Sequence, residues 1–265
     1  MEVAANQLLQ WEESQIARPL AILRERYRCQ AVVDARIVRK GDGGFYEVVD
    51  YPNPEGHRIT VPSGTFDSPA GLYDREYDIW EDIVSRRDSL LTTEGLTVST
   101  LITTQKMVSQ FSRHPITQSY GGAAPGGGNM QPNAFQGALA YFNLPSTMGE
   151  NLWLYDSMYD VESTDKRTSR ARFIPDNVVI MLCNTNREET IQLGDDVDPA
   201  VFYDTLGYTA IGPVSGEAQP FVKVQMFPQQ RHPAGIIYEG VQCAFPILQE
   251  PDAIVVIRYP DLTEA

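Results

Sequence analysis

Cysteine and histidine are scarce in this chain, with three of each among 265 residues. Cys29, Cys183 and Cys243 stand far apart in apolar or mixed surroundings and are odd in number, so they suit neither a disulfide framework nor a zinc set. They read as reduced, buried thiols of a cytosolic protein. His57, His114 and His232 have no Cys, Asp or Glu at ligand spacing, and no His-Glu-x-x-His occurs. Each reads as a solvated loop histidine, with a site as the alternative. There is no Gly-x-Ser-x-Gly, and although Arg28 precedes Cys29 no thiol has a histidine partner nearby in sequence, so no activated nucleophile is legible. No apolar run reaches the roughly 18–20 residues of a membrane span. The start "MEVAANQLLQWEESQ" lacks the basic and apolar regions of a signal peptide. Cations are few as well: 21 Lys and Arg face 35 Asp and Glu, a net charge of −14. A duplex-coating protein needs cations to displace counterions from phosphates, so this balance argues against broad nucleic-acid binding.

What is present is ordinary globular material. Hydrophobic residues make up 42% and charged residues 21%, enough for one large domain or two smaller ones. The 20 glycines and 18 prolines are spread along the chain, which favours turns and sheets over long bundles. Leu9, Ile16, Leu20, Leu23 and Tyr27 recur at helical spacing, predicting a helix over 4–28, with a bend near 15–19 because Pro19 lies inside it. Alternation at Val33, Ala35 and Ile37, then "KGDGG" and "FYEVVDY", predicts a hairpin over 31–51. "YPNPEG" and "VPSG" read as loops. Asp67 or Ser68 followed by Pro69 is a helix start. Tyr73, Tyr77, Trp80, Val84 and Leu91 form that helix's buried face, and Gly95 ends it. A strand at 98–103, a helix at 105–111 stopped by "RHP", a helix "NAFQGALAYF" and a strand "NLWLYD" come next. After the polar loop 160–172, "DPAVFYDTL" reads as a helix and "YTAIGPV" and "PFVKVQMF" as strands. The last 26 or so residues before the terminus read as two strands around a Glu-Pro-Asp corner. The class is α+β with mixed or antiparallel sheets.

Three local patterns invite a site. The glycine loop "GGAAPGGG", with Gly121, Gly122, Gly126 and Gly127, lacks an abutting apolar strand and a closing Gly-Lys-Ser/Thr, so it reads as a mobile loop. Asp195, Asp196 and Asp198 lack the central glycine and distal glutamate of a calcium loop and read as an acidic helix entry. Lys166, Arg167, Arg170 and Arg172 could meet an anion or a neighbour's carboxylates, or form a solvated loop. No catalytic, cofactor-binding or metal residue emerges. The stretch "RARFIPDNVVIMLCNT" is more telling. Pro175, Asp176 and Asn177 turn the chain, and residues 178–183 are apolar without alternation, as in a strand buried on both faces in the middle of a sheet.

The order of elements resembles the major capsid protein E family of lambda-like tailed phages. In that family an apolar-Pro-Asp-Asn step precedes a buried strand, matched here by Phe173, Pro175, Asp176 and Asn177. A strand ending in a Pro/Asp corner and a terminal apolar strand close its members, as residues 242–259 do here. The resemblance implies the Hong Kong-type phage major capsid fold, an α+β fold with a long N-terminal helix and peripheral and axial domains. It places residues 1–66 and 236–265 in the peripheral domain and 67–235 in the axial one. The family's N-terminal arm and extended loop have no counterpart ahead of the first helix. The implied function is a non-enzymatic shell protein, self-assembling as hexamers and pentamers into the icosahedral head of a double-stranded DNA phage. Implied partners are a decoration protein, a scaffold and a portal, with enclosed DNA bound without sequence specificity and no membrane. The place implied is the virion capsid, built in the host cytoplasm. The acidity suits an inner wall that repels DNA. An encapsulin-like nanocompartment shell and a soluble enzyme or binding module stay as alternatives. The expected assembly surface joins Arg167, Arg170 and Arg172 to a neighbour's Asp195, Asp196 and Asp198, with the glycine loop at a domain tip or edge.

Overall fold

The computed structural model describes residues 2–40, 46–62, 76–120, 134–162, 168–184, 206–212, 223–229 and 235–259. Its centre is a five-stranded mixed sheet in the order β3-β13-β8-β4-β5. The strands are β3 (Arg58–Thr60), β4 (Thr97–Thr103), β5 (Leu152–Leu154), β8 (Val178–Asn184) and β13 (Ile254–Arg258). β8 runs antiparallel to both β4 and β13, while the outer pairs β4–β5 and β3–β13 are parallel. The central place of β8 follows from its sequence. Val179 and Met181 face one apolar cluster, Val178 and Ile180 face another, and all four are buried.

Helices supply the cover on each side. Against the first face lie α2 (Ile79–Ser89), α3 (Gln105–Arg113) and α5 (Ala134–Tyr141). Trp80 is the hub of that layer, with ring centroids 5.9 Å from Phe111, 5.7 Å from Phe135 and 5.7 Å from Phe142. Its indole N–H donates to Thr117 Oγ1 at 3.0 Å, so the buried ring leaves no polar group unmet. Thr117 sits on α4 (Pro115–Tyr120), a short helix not expected from the sequence. The opposite face is covered by the end of α1 (Glu2–Asp34) through Cys29 and Val33.

α1 is longer than its periodicity predicts and continues through Pro19 as one helix. It stops because Ala35 takes φ 49, the left-handed conformation that breaks helical hydrogen bonding. That position usually holds glycine or asparagine, so the sequence gives no warning. Its last-turn carbonyls are met from the sheet: Arg58 donates to Val32 O at 3.0 Å and Arg258 to Val33 O at 3.3 Å. Val33 is therefore helical, and the expected hairpin shortens to β1 (Arg36–Lys40) and β2 (Tyr46–Asp50).

Other corrections concern boundaries. The described helix near 67–95 begins at Ile79, with Asp78 accepting from Trp80 N–H at 3.0 Å. Asp67, Ser68, Pro69 and Tyr73 lie outside the described residues. Ile79, Ile83 and Leu90 join Trp80 on the buried face, and Leu91 is exposed. The helix ends in a π turn, Leu90–Glu94, closed by Gly95 at φ 71. Within the expected polar loop 160–172 the described residues form two antiparallel strands, β6 (Met158–Glu162) and β7 (Thr168–Arg172), whose charged and polar residues, with one charged cross-strand pair at Asp160 and Arg170, hide the strand pattern. The C-terminal segment holds three strands, because β11 (Gly235–Val241) and β12 (Cys243–Leu248) are separate. β11 pairs with β10 (Lys223–Gln229), and β12 with β9 (Gly207–Gly212). The expected helix "DPAVFYDTL" lies outside the described residues.

The chain ends meet, as β13 pairs in parallel with β3. The same strand pairs with β8, so the central sheet crosses the expected division at 67 and 235.

Candidate functional site

Arg172 is held at three points. Its Nη1 lies 2.7 Å from Asp156 Oδ1, its Nε 2.5 Å from Asp176 Oδ1, and its Nη1 also donates to Asp156 O at 3.3 Å. Asp156 in turn accepts from the backbone N–H of Gln105 at 3.2 Å, at the start of α3, where a carboxylate suits the helix dipole. Thr104 caps that helix, accepting from Met107 N–H at 3.3 Å, and donates to Asp176 O at 3.1 Å. Arg172 thus ties the turn at 173–177 to α3 and fixes where β8 enters the sheet. Thr103 completes the brace by donating to Val178 O at 2.9 Å.

Arg170 behaves differently. It stands opposite Asp160 in the β6–β7 register, 3.4 Å from its carboxylate, on an exposed ribbon. Such a pair is worth roughly 0–1 kcal/mol and leaves the guanidinium open to exchange partners. Arg167, Lys166, Asp195, Asp196, Asp198, Gly121, Gly122, Gly126 and Gly127 lie outside the described residues.

The histidine reading needs correction at two positions. His57 is buried, with Nε2 2.8 Å from Glu94 Oε1 and Nδ1 3.3 Å from Ile254 O. It joins the loop before β3 to the π turn, a long-range packing that local sequence does not reveal. His114 is also buried, at the α3–α4 junction. His232 lies outside the described residues.

The thiols are partly as expected. Cys29 and Cys183 are buried, but Cys243 is exposed on β12, where the strand's outer face meets solvent. Burial, reinforced by Glu25, pushes the Cys29 thiol up to about 12. Burial, reinforced by Glu94, does the same for Cys183. Neither forms a thiolate near neutrality, so neither is an activated nucleophile. The Tyr155 hydroxyl donates to Glu25 Oε1 at 2.7 Å beside Cys29 and is raised by burial and that contact.

One surface was not legible in the sequence. A groove of about 480 Å³ lies between α1, the sheet and the β9–β12 ribbon, lined by Val32, Ile102, Leu182, Tyr208, Ile247 and Ile254. Arg28 stands at it, its Nε donating to Thr209 Oγ1 at 2.7 Å. Tyr46 on β2, Tyr141 on α5 and Trp153 on β5 are 64%, 67% and 49% exposed. Among the described residues no His, Cys, Asp and Glu group together as metal ligands, and no helix is long and apolar enough to cross a membrane.

No family model matches the chain, and no curated protein matches it. Among solved structures it is similar to a protein of E. coli CFT073 to which a prophage capsid role is ascribed. That match has a TM-score of 0.52 and 12% identity, covering 94% of this chain and 65% of the other. A phage-related protein from Bordetella bronchiseptica RB50 matches with a TM-score of 0.46 and 14% identity, over 80% of this chain and 59% of that one. The chain therefore has a phage-capsid-like fold of mixed helix and sheet, and it spans about 65% of the length of the E. coli protein.

Proposed function

We propose that this protein is a structural shell protein, the major capsid protein of a tailed double-stranded DNA phage, which assembles with copies of itself into an icosahedral head. The observation that carries the reading is the fold likeness to the E. coli protein over 94% of the chain. The acidic balance fits a wall that packs DNA without adhering to it. Membership of the lambda-like E family and the peripheral and axial division belong to this proposal. Within it, residues 1–66 and 236–265 form the peripheral part and residues 67–235 the axial part, with strands of the five-stranded sheet drawn from both.

At the subunit edge, Arg167 and Arg170 meet a neighbour's Asp195, Asp196 and Asp198, while Arg172 serves as an internal brace. The glycine loop lies at a tip or edge. Sedimentation velocity across a concentration series tests the reading: ring-sized or larger species are expected. A monomer at every concentration, with a ligand-dependent melting shift, would establish the enzyme or binding-module alternative. The apolar groove favours one second reading, a cargo-enclosing compartment of the same fold, in which a cargo peptide fills it. Capture of a co-purified apolar peptide in that groove would distinguish this from a DNA-filled head.

A further inference from the structure

We propose that the β6–β7 ribbon joins copies of this chain head to tail, the β7 edge of one pairing antiparallel with the β6 edge of the next. This rests on the self-assembly reading above and names one of its contacts. Among the described residues the ribbon has two strands and no third, so both of its edges are open. At its base the Phe173 N–H donates to Ser157 O at 3.2 Å. By the antiparallel alternation, that bond turns the main-chain groups of Tyr159, Val161, Ser169 and Ala171 inward. Those of Asp160 and Arg170 therefore point outward, one on each edge. The side chains there stand in water as well: Arg170 is 76% exposed, Asp160 65% and Met158 48%. A lone two-stranded ribbon is marginal in water, and open edges are templates for pairing.

Charge selects the partner and its order. β6 places Asp160 beside its open edge, and β7 places Arg170 beside the other. Two β6 edges together set Asp160 on Asp160, and two β7 edges set Arg170 on Arg170. Only unlike edges attract, so the ribbon refuses a twofold self-contact and accepts a head-to-tail one. Such a heterologous contact repeats from copy to copy and closes into a ring when its rotation allows. With Arg170 opposite Asp160 of the next copy, the register within the ribbon continues across the junction, acid and base alternating along the row. Arg170 has five N–H donors, enough for this carboxylate and for the acidic residues proposed above. The β1–β2 ribbon also divides its charge, but Arg36 and Arg39 are held by Asp50 and Glu47 at 2.5 and 3.0 Å. At 3.4 Å, Arg170 and Asp160 form the looser pair, the one readier to share a partner.

In that register Val161 faces Ser169 of the next copy, with Cα atoms about 4.5 Å apart, close enough for a disulfide. Val161→Cys and Ser169→Cys, each made separately with Cys243→Ser, should form no chain-to-chain disulfide alone. Mixed under assembling conditions, they should yield a cross-linked pair with one chain of each kind. Asp160→Arg alone and Arg170→Asp alone should each weaken association roughly fivefold, by setting like charge on like at every junction. An equal mixture of the two should recover it, since alternating copies then join opposite charges. A role for Asp160 and Arg170 within one chain gives no such recovery. Large assemblies that form normally, without the mixed disulfide or without the recovery, overturn the ribbon contact and leave the shell reading intact. Disulfides within either cysteine variant alone show a twofold contact and overturn the head-to-tail order. A chain that stays monomeric throughout overturns both readings.

Discussion

At the scale of single residues, Asp82 shows how burial sets chemistry. Its carboxyl on α2 accepts from the Tyr77 hydroxyl. Burial raises its pKa above the usual carboxylate value, although Tyr77 and Arg86 pull it the other way. A raised carboxyl means that the folded state holds its proton longer than the unfolded chain does. Its contribution is therefore best at low pH and declines as pH rises from about 3.9, the unfolded value, through the higher folded one. Asp82→Asn cannot ionise. The stability of the wild type relative to this variant should fall as pH rises through that window and level off above it. Urea unfolding at several pH values checks this, and a difference that grows with pH would reverse the sign. The thiols give a second residue-scale test. With Cys29 and Cys183 buried and raised to about 12, and Cys243 exposed, a thiol reagent at pH 8 should titrate one group in the dissociated native chain. Three should react in denaturant; three reacting at once in the native chain would contradict the burial described.

Among the elements, β8 is the plainest case of sequence dictating place. Its residues are apolar without alternation, and each face meets its own cluster. Ile180→Glu and Met181→Glu should each unfold the protein or cost more than about 3 kcal/mol, since either puts an unpaired charge into a core. A half-exposed strand would tolerate one of the two; thermal melts of both variants decide. This strand, β4, α3 and α5 were legible because their patterns are local: short apolar runs and the "RHP" stop after α3. The misses share another cause. α1 runs to Asp34 because a left-handed alanine ends it and two sheet arginines satisfy its carbonyls, neither visible in local periodicity. The β6–β7 pairing hid in a run rich in charged and polar residues, and buried His57 depends on Glu94, distant in sequence. Of the expected assembly residues, Arg170 and Arg172 lie among the described residues, and the internal partners of Arg172 come from the link between β5 and β6 and from the turn at 173–177, which sequence alone could not bring together.

In the whole molecule, the two chain ends meet through β3 and β13, and β13 fills the gap between β3 and β8. Ile254, Val255, Val256 and Ile257 are all buried there. Each contributes roughly 1.5–3 kcal/mol on burial, so losing four rivals a typical net stability of about 5–15 kcal/mol. A chain ending at Glu250 should therefore be insoluble or lack a cooperative melt. An unchanged melting temperature would show that the sheet does not need its last strand.

The central claim, that these copies build a closed shell, is tested most directly by an electron micrograph of the purified protein under assembling conditions. The account predicts closed, uniformly sized polyhedral particles. A field of isolated single chains, at concentrations where the protein remains folded, would contradict it.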